Sequence, residues 1–139
     1  MSATLAEAND AILALFKTAW DTTGFTAVYE NVKADIPTGT APWSRITLRH
    51  AIGGLGALTG ALGTSRYDRE GFLIVQIFVP LGEGLSEGYS LGKVVLDAFE
   101  GQTTTNGVWF RNSRINEVGP DGEWYQFNVT IDFSYDEIK

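Results

Sequence analysis

Between Phe72 and Val79 both alternating sets of positions are apolar: Phe72, Ile74 and Phe78 share one side with Gln76, and Leu73, Val75, Ile77 and Val79 share the other. A strand with this pattern is expected to be buried on both faces of its sheet. The polar run Arg66 to Gly71 before it reads as a turn. Pro80 ends the ladder after it, and Gly82 and Gly84 loosen the exit into an amphipathic helix from about Leu85 to Phe99. That helix places Leu85, Tyr89, Leu96 and Phe99 near one face, with Gly88 and Gly92 in the same sector. Each glycine costs a helix about 1 kcal/mol, so two of them predict close backbone packing on the sheet.

Elsewhere, Ile12, Leu15, Phe16, Ala19 and Trp20 form one stripe on a helix from about Leu5 to Trp20, and Thr4 with Glu7 offers a capping box at its start. Phe25 to Glu30 reads as a short strand, Asn31 to Pro42 as a loop with two prolines, and Trp43 to His50 as an alternating strand. Val108 to Val118 is a further strand and Gly119 to Gly122 a turn. Glu123 to Tyr135 closes the chain as a strand with Tyr125, Phe127, Val129, Ile131 and Phe133 on one side, and Trp124, Gln126, Asn128, Thr130 and Asp132 on the other. These elements predict one α+β domain over residues 1–139: a mainly antiparallel sheet of about five or six strands, two helices on one face, and the other face at least partly covered by neighbours.

The segment Ile52 to Gly63 has five glycines and no charge. It lacks the Gly-Lys-Ser/Thr ending that reaches phosphate and magnesium in a P-loop, and Thr59 stands where a dinucleotide-binding fingerprint needs its third glycine. The expectation is a mobile hairpin tip or extended arm whose Leu55, Leu58 and Leu62 are buried only against a partner. Ala57 to Leu62 has the composition for a short helical turn.

Charged residues make up 19% of the chain and hydrophobic residues 44%, which indicates a folded globular domain. With no cysteine, disulfides and thiolate metal sites are excluded. The first ten residues lack the basic flank and apolar run of a signal peptide, and the apolar runs are too short for a membrane span; a soluble protein, not classically secreted, is expected. A net charge of −7 opposes nonspecific nucleic-acid binding. An acidic wall would still suit a channel through which DNA slides.

Candidate chemistry is sparse. His50, the one histidine, has no nucleophile or orienting carboxylate nominated near it, so it reads as a polar residue at a strand end. An all-oxygen metal site would need an Asp-x-Asp-x-Asp type loop, which is missing, and Asp132, Asp136 and Glu137 read as an acidic solvated tail. Glu30 and Asn31 are placed to hold the long loop through a turn and side-chain bonds to backbone. No catalytic residue, cofactor or metal is expected. More distinctive is one strand face carrying Trp43, Arg45, Thr47 and Arg49, because Trp and Arg recur in binding hot spots. Arg66, Arg69, Arg111 and Arg114 would extend it. The same arginines could equally be solvated or paired with neighbouring strands; as a basic face on an acidic chain, they would complement an acidic neighbour of the same kind.

The order of these features resembles the tail-terminator-like proteins of long-tailed phages over roughly residues 12 to 135. The pieces that carry the resemblance are the first helix ending in Trp20, the VYEN of Val28 to Asn31, the Pro-Trp before the Arg-bearing strand WSRITLRH of Trp43 to His50, the Arg-aromatic stretch from Arg66 leading to Gly71 and a strand, and the Pro-x-Gly-x-Gly of Pro80 to Gly84. The resemblance implies a structural virion protein with no enzymatic activity. It implies a hexameric ring that stops tail-tube growth and joins tail to head, with itself, the tail-tube protein and a head-completion or neck protein as partners, assembled in the host cytoplasm. Candidate interface residues are Trp43, Arg45, Arg49, Leu55, Leu58, Arg66, Phe72, Ile74 and Phe78. Two alternatives stand beside this: a related neck or minor tail component, and a small enzyme or ligand-binding domain using the glycine-rich loop.

Overall fold

The computed structural model describes residues 2–57 and 65–139. Helix α1 (Leu5–Trp20) leads through a single 3-10 turn into β1 (Thr26–Tyr29); β2 (Trp43–Ala57), β3 (Arg66–Pro80), α2 (Ser86–Phe99), β4 (Trp109–Asp121) and β5 (Trp124–Ile138) follow. The strands form one sheet in the order β1-β2-β3-β5-β4. Only β1 runs parallel to its neighbour; the other pairs are antiparallel. Both helices lie on the same side, giving an α+β fold.

The start of α1 carries the capping box in full: the Thr4 hydroxyl accepts from the Glu7 amide at 3.2 Å, and the Glu7 carboxylate accepts from the Thr4 amide at 3.0 Å. Its buried stripe is Ala8, Ile12, Phe16 and Trp20, at i+4 spacing. Burying Ile12 and Phe16 contributes about 1.5–3 kcal/mol each. The indole of Trp20 donates to the carbonyls of Phe25 and Thr26 at 3.0 and 3.3 Å, which fixes the path from α1 into β1.

Central β3 is paired along its whole length, from Arg66 opposite Ile138 to Pro80 opposite Trp124 on the β5 side. Its Leu73, Val75, Ile77 and Val79 are at most 1% exposed and join the helices, Phe127, Val129, Ile131 and Phe133 in one core. On the opposite face Phe78 is buried, but Phe72, Ile74 and Gln76 are only half-buried. The doubly apolar strand is thus covered once within the subunit.

Several expectations need correction. Arg66 to Gly71 is not a turn but the first part of β3, because β2 on one side and Phe133 to Ile138 of β5 on the other satisfy its backbone. The strand read as Trp43 to His50 is longer: Ile52 to Ala57, read as part of a mobile hairpin tip or extended arm, continues β2 past His50 in the extended form, with bulges near Ala51 and Gly56. His50 therefore lies within the strand, not at its end. Leu58 and the remainder of the glycine-rich segment lie outside the described residues, as do the side chains of Ile52 and Leu55. The turn read at Gly119 to Gly122 shrinks to Gly122-Glu123: β4 runs on to Asp121, and Pro120 is tolerated because β4 is an edge strand.

In α2 the buried positions are Gly88, Leu91, Gly92, Val95 and Phe99, whereas Leu85 is the N-cap and Tyr89 is 43% exposed. The apolar face is thus rotated from the expected one. Its glycines explain why: a Cβ on Gly88 would sit 2.0 Å from a ring carbon of Phe127, and one on Gly92 2.5 Å from Ile115. The helix approaches the sheet on its glycine face, as two glycines in one sector predict.

Candidate assembly interface

Residues directly opposite one another in paired strands share a face, so the register defines the sheet surface away from the helices. Trp43 lies beside Phe78 and Gln126; Arg45 beside Gln76, Asn128 and Asn116; Thr47 beside Ile74, Thr130 and Arg114; Arg49 beside Phe72, Asp132 and Arg111. Arg66, Asp68 and Glu70 continue this face along β3, and Trp109 and Trp124 lie on it from β4 and β5. Arg111 and Arg114, three apart, share it because the ladder shifts between them, where Asn112 adopts φ 54°. Five of the chain's six arginines and three of its four tryptophans are therefore on the sheet face away from the helices, where Trp109 is exposed, Trp124 is half-buried and Trp43 is buried within the subunit. Of the expected set only Arg69 is elsewhere: it points to the helix side and bonds Glu137 from Nε and Nη2 at 3.1 and 2.9 Å.

The face is not a basic patch. Arg49 meets Glu30 at 2.8 Å, Arg66 meets Asp68 at 3.4 Å, Arg111 meets Glu70 at 3.1 Å and Arg114 meets Asp132 at 3.7 Å. Such partly exposed pairs add only about 0–1 kcal/mol each to stability. Their effect is to neutralise the surface while leaving large planar side chains on it. The expected turn is present at Glu30-Asn31, with Asn31 at φ 56°, while Glu30 of the VYEN motif bonds the Arg49 side chain rather than backbone and so ties the end of β1 to β2.

Arg45 differs. Trp43 and Phe78 stack with centroids 4.2 Å apart and planes 14° from parallel, and Trp124 meets Trp43 edge-on at 6.2 Å. The Arg45 guanidinium lies over this stack, 5.8 Å from the Trp43 ring and 5.6 Å from the Phe78 ring, and its Nε donates to Gln76 Oε1 at 2.8 Å. Among the described residues no carboxylate pairs with it. Ile36, from the loop before β2, borders the same pocket of about 240 Å³.

His50 sits on the helix side, with Nε2 2.7 Å from the Tyr135 hydroxyl and its ring edge-on to Phe133 and Tyr135. Burial, then the Arg69 charge, holds its pKa below the ordinary value, while burial pushes Tyr135 up to about 12. The histidine is neutral at neutral pH, and the group touching its ring nitrogen is a phenol that keeps its proton, so the pair is placed for packing and hydrogen bonding. Among the described residues no cluster of three or more His, Asp or Glu is placed to hold a metal ion, and no helix is long and apolar enough to cross a membrane.

The family model described as phage tail terminator protein matches residues 7–133. The chain belongs to the phage tail terminator family. It is thus a phage tail structural protein of the virion, in a family whose role is assembly with other tail components. No curated protein matches it. One solved structure superposes with a TM-score of 0.66 over 91% of this chain and 94% of that one, at 15% identity, which shows a shared fold.

Trp109, Gln126 and Asn128 were not singled out as surface candidates from sequence. Their alternation was visible, but which strand stands beside which follows only from the register. The β2 end of the hairpin includes the backbone of Leu55. Arg66, Phe72, Ile74 and Phe78 share this sheet face with Trp43, Arg45 and Arg49, with Trp43 and Phe78 buried in it.

Proposed function

We propose that this tail terminator forms a closed ring, of six copies, whose one side complements the end of the tail tube and whose other side meets the head-completion protein. The observation that carries the reading is the concentration of Arg and Trp on an uncovered, charge-neutralised sheet face. Arg and aromatic side chains are enriched where proteins bury surface against one another, and neutralised charges lower the cost of doing so. Termination then works by mismatch: one ring face accepts the tube and the other presents no site for a further tube subunit. No step requires chemistry, so the protein acts without enzymatic activity. The ring forms in the host cytoplasm and stays at the tail–neck junction.

A ring of six 15.1 kDa subunits weighs about 90 kDa. Light scattering of the protein, alone and with tail-tube protein, should find that species; monomer under both conditions at high concentration would reject the ring.

A further inference from the structure

We infer that Arg45 and the aromatic floor beneath it form a socket for one carboxylate side chain from a second copy of this chain. This rests on the ring reading above and names one contact within it. The guanidinium has five N–H donors and, among the described residues, uses only Nε, toward Gln76. The other four arginines of the face already meet carboxylates of their own subunit. Arg45 is therefore the cation of this surface left to an outside anion. Its stacking over Trp43 and Phe78 holds the guanidinium in place, so two parallel hydrogen bonds to a carboxylate would form with little further loss of side-chain freedom. Ile36, 56% exposed at the rim, gives the incoming side chain an apolar wall.

Charge complementarity identifies the occupant. Of ten basic and 17 acidic residues, five arginines lie on this face with Glu30, Asp68, Glu70, Asp121, Asp132 and Asp136, so the rest of the surface carries most of the acidic excess. A second copy meeting the socket with any other part of its surface presents carboxylates far more often than cations, and such a head-to-tail contact is the kind that closes rings. Asp121 and Glu123 also line the pocket and form no ion pair with Arg45. Their charges oppose any incoming anion, so the occupant depends on the paired hydrogen bonds of the guanidinium and is limited to one carboxylate.

Sedimentation equilibrium of the full chain tests this, with and without tail-tube protein, for wild type, Arg45→Gln, Arg45→Lys and Arg45→Met. Losing one partner of a hydrogen-bonded interfacial charge pair costs about 2 kcal/mol or more, so Arg45→Gln should weaken copy-to-copy association at least about thirtyfold. Arg45→Lys, which keeps the charge but not the paired donors, should stay closer to Arg45→Gln than to wild type. Added salt should weaken wild type relative to Arg45→Gln, because both share the same screening of subunit repulsion and only wild type has the charge pair to lose. Arg45→Met keeps the stem over the rings and separates a packing loss from the loss of the charge; it should associate as poorly as Arg45→Gln. Association of Arg45→Gln or Arg45→Met within about threefold of wild type would overturn the socket while leaving the ring intact. So would a variant that forms rings normally and loses only tube binding. A wild type that never associates would instead remove the ring, and the socket with it.

Discussion

At the residue scale the glycines of α2 and the pairing of the arginines decide how this chain is read. Gly88 to Ala should lower stability by about 1–2 kcal/mol in urea unfolding even though alanine favours helix by about 1 kcal/mol, because the new methyl meets the Phe127 ring. An unchanged or raised midpoint would mean that the ring moves aside at no cost. His50 makes a second prediction. Its folded-state pKa lies below the ordinary 6.5, so below that value the unfolded chain binds more protons than the folded one. Stability should fall as pH drops from about 7 toward 5, and a His50→Gln variant should show a shallower fall over that window. Equal slopes would show that His50 titrates alike in both states. The close approach at Gly88 was legible because glycine in a helix needs a reason. Which arginines would be neutralised was not, since Arg49–Glu30 and Arg111–Glu70 join residues far apart in sequence.

At the element scale local signals were read well where they repeat. The Thr4–Glu7 box marks the start of α1, and the alternation in β5 places Phe127, Val129, Ile131 and Phe133 in the core. Thr4→Ala should cost about 1 kcal/mol, with Thr4→Ser retaining most of it; the comparison needs only melting curves of the three proteins. An alanine variant as stable as wild type would show that the Ala3 amide bonded to the Asp136 carbonyl at 3.0 Å holds this end without the cap. The misreadings share one cause. RYDREG and the Gly53-Gly54 pair look like turn sequences by composition, yet both lie in the β2–β3 ladder, where partner strands supply the hydrogen bonds that composition cannot. The β4–β5 turn contracted for the same reason, with Gly119 and Pro120 held opposite Gln126 and Tyr125.

For the whole molecule, the sheet face away from the helices is the surface on which the proposed function rests. The apolar pattern of Phe72 to Val79 called for burial on two sides, and the subunit provides one. Charge reversal at Arg45 and Arg49 together should impair assembly without unfolding the subunit. Reversing Arg49 also sets it against Glu30, so its share of the effect should include about 0–1 kcal/mol of lost subunit stability; unaltered assembly would remove this face from the interface. The most direct test of the terminator role is electron microscopy of virions from an infecting phage that lacks this protein. Heads and tube protein should accumulate normally, with tails of irregular, excessive length that fail to join heads; tails of normal length, attached to heads, would contradict the account.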